Sequence, residues 1–293
     1  MLLKENKFSF RPFAAARVID SHAHLNFNAY KNDVDEVIKR SLENEVWMIN
    51  VGSQYNTSKR AVEVAEKYEK GVWAAIGLHP IHVQDGFDPE KYKKIAESKK
   101  VVAIGEIGLD YKSEYAPFKE KQKSVFYQQL ELAQKLELPV IFHCRMAHDD
   151  LIQLLEKYNK GLKGVVHCFT GNWLQAQKYL EMGLYLGFNG IIFKLNLDEI
   201  IKKTPLDKIL IETDCPYLTP PLPAEVLTKA GPMKDRNEPI YVRYVVEKIA
   251  KIKNLSAKRT AFSSSPSFSL RENSVFEEVA EKTTQNAKNL FNL

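Results

Sequence analysis

Residues 18–24 read Val-Ile-Asp-Ser-His-Ala-His, an aliphatic run that passes directly into two histidines one residue apart. In an extended chain, residues two apart share a face, so His22 and His24 can hold one ion together. The same grammar recurs downstream. Val101–Ile104 leads to Glu106, Val140–Phe142 to His143, Gly164–Val166 to His167, and Ile209–Ile211 to Glu212 and Asp214. Val46–Val51, Val72–Ile76 and Leu184–Gly187 complete eight strand candidates, their centres roughly 20–38 residues apart, as βα units place them. Val34, Val37, Ile38 and Leu42 fall at helical spacing, as do Phe126, Leu130, Ala133 and Leu136. Two further helices are expected at Ile240–Ile252 and Val275–Phe291. Eight strands, each followed by a helix, predict an α/β fold: a single-domain TIM (β/α)8 barrel. The alternative, an open doubly wound sheet, lacks its glycine-rich turn after the first strand.

Composition bounds the function. The chain has 293 residues, of which 44% are hydrophobic and 27% charged, ordinary for a globular protein. No apolar run reaches the roughly 18 residues of a membrane span, so no membrane role is expected. Three widely spaced cysteines, Cys144, Cys168 and Cys215, form no CxxC pair, which argues against a disulfide framework and for a reducing cytoplasm. The net charge is +5, but residues 1–17 carry +3 of it and 258–274 carry +2, leaving the body neutral. Bulk charge therefore gives no argument for nucleic-acid binding. Residues 1–16 read as a basic, disordered N-terminal extension, and 17–293 as the barrel. Residues 258–274, with six serines and no apolar period, read as an insertion between the last two helices. Pro216–Pro239 carries six prolines and reads as mostly irregular.

The polar residues above all stand at the carboxyl ends of predicted strands, the barrel face where active sites are built. Of seven histidines (22, 24, 79, 82, 143, 148 and 167), five follow directly on strands: His22, His24, His79, His143 and His167. Four histidines with Glu106 and Asp214 exceed the needs of one tetrahedral ion. They suit two divalent cations about 3.5–4 Å apart with a bridging carboxylate, the machinery for hydrolysing phosphodiesters, phosphotriesters or amides. Mixed nitrogen and oxygen donors suit Zn, Mg, Mn or Co without choosing among them.

At these residues the sequence resembles a known family. DSHAHL (20–25), GLHP (77–80), GEIGLDY (105–111), FHCR (142–145), HCFTG (167–171), ETDCPYLTP (212–220) and RNEP (236–239), in this order, look like the TatD metal-dependent deoxyribonucleases. The resemblance implies a TIM barrel, one or two divalent metals and phosphodiester hydrolysis of DNA, often as a 3′–5′ exonuclease. It implies His22 and His24 as ligands of one metal, Glu106 as the bridge, and His143 and His167 as ligands of the second. Asp214 is implied as a ligand that also acts as base, so that Asp214 and Glu106 are the catalytic pair. His79 is implied to lie near the phosphate rather than to be a primary ligand. Nucleic acid is the implied partner, as substrate, and no obligate protein partner is evident. The family's usual Arg-Gly step before RNEP reads Lys234-Asp235 here, placing an acid where a phosphate-facing base is expected.

The neighbours of these residues have plainer expectations. Cys144, Cys168 and Cys215 each follow a proposed ligand, and strand alternation turns them toward the helix layer. Glu212 lies two before Asp214 and is expected to support a ligand from behind. Arg145 holds a phosphate or pairs with a carboxylate. His82 and His148 are expected to be solvated, and Trp47 and Trp73 to be strand core. Trp173 lines the site mouth or packs at a helix start. The chief rival function is another binuclear hydrolase, acting on a lactone, a cyclic amide or an aminoacyl-tRNA ester. Many such enzymes bridge their metals with a lysine at the fourth strand, where this chain has Glu106. A non-catalytic metal-binding barrel is a further rival, disfavoured by the intact ligand set.

Overall fold

The computed structural model describes residues 16–158, 161–223, 236–257 and 268–293, with backbone only for 254–257 and 268–274. The strands are β1 (Val18–Ala23), β2 (Val46–Val51), β3 (Val72–Ile76), β4 (Val101–Asp110), β5 (Val140–Arg145), β6 (Gly164–Val166), β7 (Tyr185–Phe188) and β8 (Ile209–Ile211). They pair in parallel in sequence order. The helices are α1 (Val34–Glu43), α2 (Tyr55–Glu66), α3 (Pro89–Ile95), α4 (Lys119–Lys135), α5 (His148–Tyr158), α6 (Trp173–Glu181), α7 (Asp198–Lys203), α8 (Val242–Ala257) and α9 (Phe268–Phe291). This is the predicted (β/α)8 barrel.

Strand alternation divides the core in two. On β2, Val46 and Met48 face the helix layer, while Ile49 and Val51 face the barrel axis. Ile19, Ala75, Ile141, Val165 and Leu210 join them inside. The last turns of α9 close the floor with Ala287, Leu290 and Phe291, against which Trp47 and Trp73 pack. One step further along β5 and β6, the same inward parity brings His143 and His167 to the top.

The barrel closes between β8 and β1 at its upper end. Ala23 bridges Cys215, Asp214 N–H donates to His22 O at 2.9 Å, and His24 N–H donates to Cys215 O at 2.9 Å. Lower down, α9 supplies the links: Thr284 Oγ1 donates to Arg17 O at 2.9 Å and Asn286 Nδ2 to Ile209 O at 2.8 Å. No helix among the described residues is long and apolar enough to cross a membrane.

Several boundaries differ from expectation. β1, expected as Val18–Asp20, and β4 and β5 run three to six residues past their predicted ends, because the polar tips continue the pairing: Gly108, Leu109 and Asp110 oppose His143, Cys144 and Arg145. His22 and His143 thus lie within strands rather than after them. α9 starts at Phe268, seven residues before the predicted Val275, so the serine-rich stretch is helical from there. Residues 1–15, 258–267 and Lys234-Asp235 lie outside the described residues.

Candidate metal centre

The strand tips bring His22, His24, His79, Glu106, His143, His167 and Asp214 into one cluster, buried but for the half-buried His143 and Asp214, beneath a cleft of about 670 Å³, which all but His22 line. Glu106 sits at its centre. Its Oε1 is 2.6 Å from His143 Nδ1, 3.5 Å from His79 Nε2 and 3.7 Å from His167 Nε2. Its Oε2 is 3.4 Å from His22 Nε2. The carboxylate therefore turns Oε1 to three imidazoles and Oε2 to His22. Asp214 Oδ1 lies on the side of the first strand, 3.4 Å from His24 Nε2 and 3.8 Å from His167 Nε2. The His22 and His167 rings stack with centroids 3.5 Å apart.

The hydrogen bonds behind these rings decide which lone pairs face the cleft. His24 Nδ1 lies 2.7 Å from Val51 O, which can only accept, so the proton sits on Nδ1 and Nε2 is bare. His167 Nδ1 lies 2.9 Å from Glu212 Oε1, leaving its Nε2 toward Glu106. A carboxylate or carbonyl behind an imidazole is the usual support of a metal ligand. His79 is set the other way. Its Nδ1 accepts Ile81 N–H at 3.2 Å, so in the neutral ring Nε2 carries the proton and points it at Glu106.

Electrostatics point the same way. Burial opposes ionisation of Glu106, but His79, His22, His143 and His167 outweigh it and hold the carboxyl well below its usual range. Burial also opposes charge on His143 and His167. Glu106 and Asp110 nevertheless push His143 up to about 9, and Glu212, Glu106 and Asp214 push His167 up to about 10. Burial, reinforced by His143, pushes His79 down to about 4. Two imidazoles thus hold protons to balance converging carboxylates, and a cation can take the place of those protons. His22, His24 and Glu106 present donor atoms within 4.8 Å of one another, as do His79, Glu106 and His143. This donor set fits divalent cations.

Glu212 stands behind the cluster. Its Oε1 reaches His167 and accepts Cys168 N–H at 2.7 Å. It fits because residue 187 is glycine: a Cβ there would lie 2.7 Å from Glu212 Oε2. Arg145 is exposed on the rim of the cleft. Sequence reasoning missed Asp110, buried with Oδ2 3.2 Å from His143 Nε2. The even spacing from Glu106 was the available signal. It also missed Asp20, which accepts from Thr213 N at 2.9 Å and Thr213 Oγ1 at 2.5 Å, tying β1 to the segment after β8.

Three expectations are corrected. Cys168 does not join the helix layer: its φ of 45° breaks the alternation and turns it into the cleft, grouped with His167 and Asp214. Cys144 and Cys215 are core residues as expected. His148 is buried rather than solvated, its Nδ1 3.1 Å from Tyr179 Oη, because α5 lays it against α6. His82 is half-buried and lines the cleft. Trp173 opens α6 and packs on the helix-layer core.

Residues 19–292 match the family model of TatD-related DNases. The chain is 38% identical to an uncharacterized metal-dependent hydrolase of Bacillus subtilis, YabD, over 94% of this chain and 99% of that protein. It is 33% identical to the 3′–5′ ssDNA/RNA exonuclease TatD of Erwinia tasmaniensis, over 94% of this chain and all of the relative (100%). Among solved structures, the TatD homologue YjjV of Escherichia coli superposes with a TM-score of 0.78 at 28% identity, covering 95% of this chain and 99% of that one. A TatD-family hydrolase of Entamoeba histolytica gives 0.77 at 29% identity, covering 94% and 98%.

Proposed function

The chain belongs to the TatD-related DNase family of metal-dependent hydrolases, and from that premise we propose that it cleaves phosphodiester bonds of DNA as a 3′–5′ exonuclease on single-stranded ends. The observation that carries this reading is Glu106, one carboxylate with His143, His79 and His167 around one oxygen and His22 at the other. Two divalent cations fit such a bridge. His22 and His24 would hold one, His143 and His167 the other, with Glu106 between them and Asp214 completing the set. Bound there, the cations supply Lewis acidity toward the phosphoryl group and toward water.

The chain's own groups do the rest. Asp214, ionised because His167, His24 and His22 outweigh its burial, takes the proton of the attacking water. The water oxygen bonds to phosphorus as the bond from phosphorus to the 3′ oxygen breaks; the leaving 3′ oxygen takes a proton from solvent, and Asp214 returns its own to solvent to reset the site. His79, protonated on Nε2, donates to a non-bridging phosphate oxygen instead of ligating. Arg145 on the rim meets the phosphate from the solvent side, and Glu212 fixes the His167 ring. The three cysteines are free thiols, which suits a cytoplasmic location.

Metal analysis of the purified protein, together with digestion of end-labelled single-stranded DNA with and without EDTA, tests the reading. Activity abolished by EDTA and restored by divalent cations is expected. Glu106→Gln is expected to lose both activity and metal content, because the lost charge weakens both sites at once. Full activity with full occupancy in that variant would remove the bridge.

A further inference from the structure

A second groove opens from the cleft beside α2. It measures about 540 Å³ and shares Phe27, Ser53, His82 and Tyr217 with the cleft, so the two spaces adjoin. Their chemistry differs. Glu106, Asp110 and Asp214 line the cleft, whereas among the described residues no carboxylate lines the groove. Arg60, on α2, stands in the groove wall and among the described residues makes one weak hydrogen bond, Nη1 3.5 Å from Asn28 Oδ1. Asn26 donates both amide hydrogens, to Val51 O at 3.1 Å and Thr57 O at 2.9 Å, which fixes its carboxamide. Its Oδ1 is left buried with no partner among the described residues. Tyr217, 56% exposed, stands where groove and cleft meet.

A strand anchored by one phosphate presents a second phosphate and a second base to the adjoining wall. The phosphate needs a cation not already paired with a carboxylate, and a guanidinium meets it with two parallel hydrogen bonds. The base needs an exposed aromatic face, and its amino or imino hydrogens need an acceptor. Arg60 supplies the cation and Tyr217 the aromatic face in one continuous space. We propose that this groove is a subsite for the nucleotide adjoining the scissile phosphate, with Arg60 on its phosphodiester and Tyr217 against its base. The proposal rests on the nuclease reading above.

The test compares two substrates: the p-nitrophenyl ester of thymidine 5′-monophosphate, which has no adjoining nucleotide, and a single-stranded oligothymidylate. Arg60→Ala lowers the ratio of kcat/KM for oligonucleotide over ester by at least about tenfold, one charge-assisted contact. Arg60→Lys recovers part of it. The dependence of log KM on log salt becomes shallower by about 0.7 in Arg60→Ala, one phosphate contact on a single strand. Tyr217→Ala lowers the same ratio by about fivefold or more, and Tyr217→Phe does not. Unchanged ratios in Arg60→Ala and Tyr217→Ala, with wild type still digesting the oligonucleotide, overturn the subsite and leave the nuclease reading intact. A metal-loaded wild type that digests no oligonucleotide overturns both.

Discussion

His79 carries a test that one hydrogen atom decides. Because its Nδ1 is occupied by Ile81 N–H, the ring has no lone pair to offer the cleft while neutral. His79→Ala is therefore expected to keep its metal and to lose activity by about 10- to 100-fold, as a positioning contact does. Metal content and turnover on a short single-stranded oligonucleotide, measured on the same preparation, decide it. Stoichiometric loss of an ion would make His79 a ligand. The cluster's membership was legible because histidine and carboxylate at strand ends are rare company. What each ring does with its two nitrogens was not, since that depends on carbonyls such as Val51 O from a neighbouring strand. Cys168 shows a different limit. Alternation is a property of extended backbone, and the left-handed turn at that residue suspends it.

At the scale of elements, the RNEP segment has a role that its sequence did not disclose. Arg236 grips Asp33 through Nη1 at 2.9 Å and Nη2 at 2.6 Å, and Glu238 grips Arg40 with two contacts of 2.7 Å. Asn237 donates to Thr213 O at 3.0 Å and to Tyr217 O at 2.6 Å. The segment thereby straps the connection after β8 onto α1 and its leading turn. The hydrogen bond from Arg236, opposed by burial and helped by the charges of Arg236 and Arg40, holds the Asp33 carboxyl below its ordinary value. A depressed folded value stabilises the protein above the unfolded value of about 3.9, and the benefit is lost as pH falls through the folded one. Asp33→Asn should thus cost about 1 kcal/mol at pH 7, with the gap to wild type closing below about pH 4. Urea midpoints of the two proteins at pH 7 and pH 3.5 measure this, and a gap independent of pH would deny the pairing its role. The eight strands and their order followed from aliphatic rhythm alone. The lengths of β4 and β5 did not, because polar tips read as strand ends unless the partner strand is known to continue beside them.

The whole barrel is fastened unevenly around its circumference. Seven neighbouring strand pairs have ladders, while β8 meets β1 through the Ala23–Cys215 bridge, the backbone hydrogen bonds of His22, His24 and Asp214, and the side chains of Ser21 and Asp20. Below that point, side chains of α9 hold the two strands at Arg17 and Ile209. The floor is thus hinged and the upper edge latched, and two residues of the latch, His24 and Asp214, also line the cleft. Local opening should begin there, since a latch of few backbone hydrogen bonds yields before a full ladder does. Amide protons of His24 and Asp214 are expected to exchange with deuterium in step with each other. Ion binding should slow both by the same factor. Exchange at the two positions that ignores the ion would uncouple latch from site. Otherwise the wall of the barrel is itself the ion's gate, and the rate at which a bound cation escapes is the rate at which the barrel comes unbuttoned.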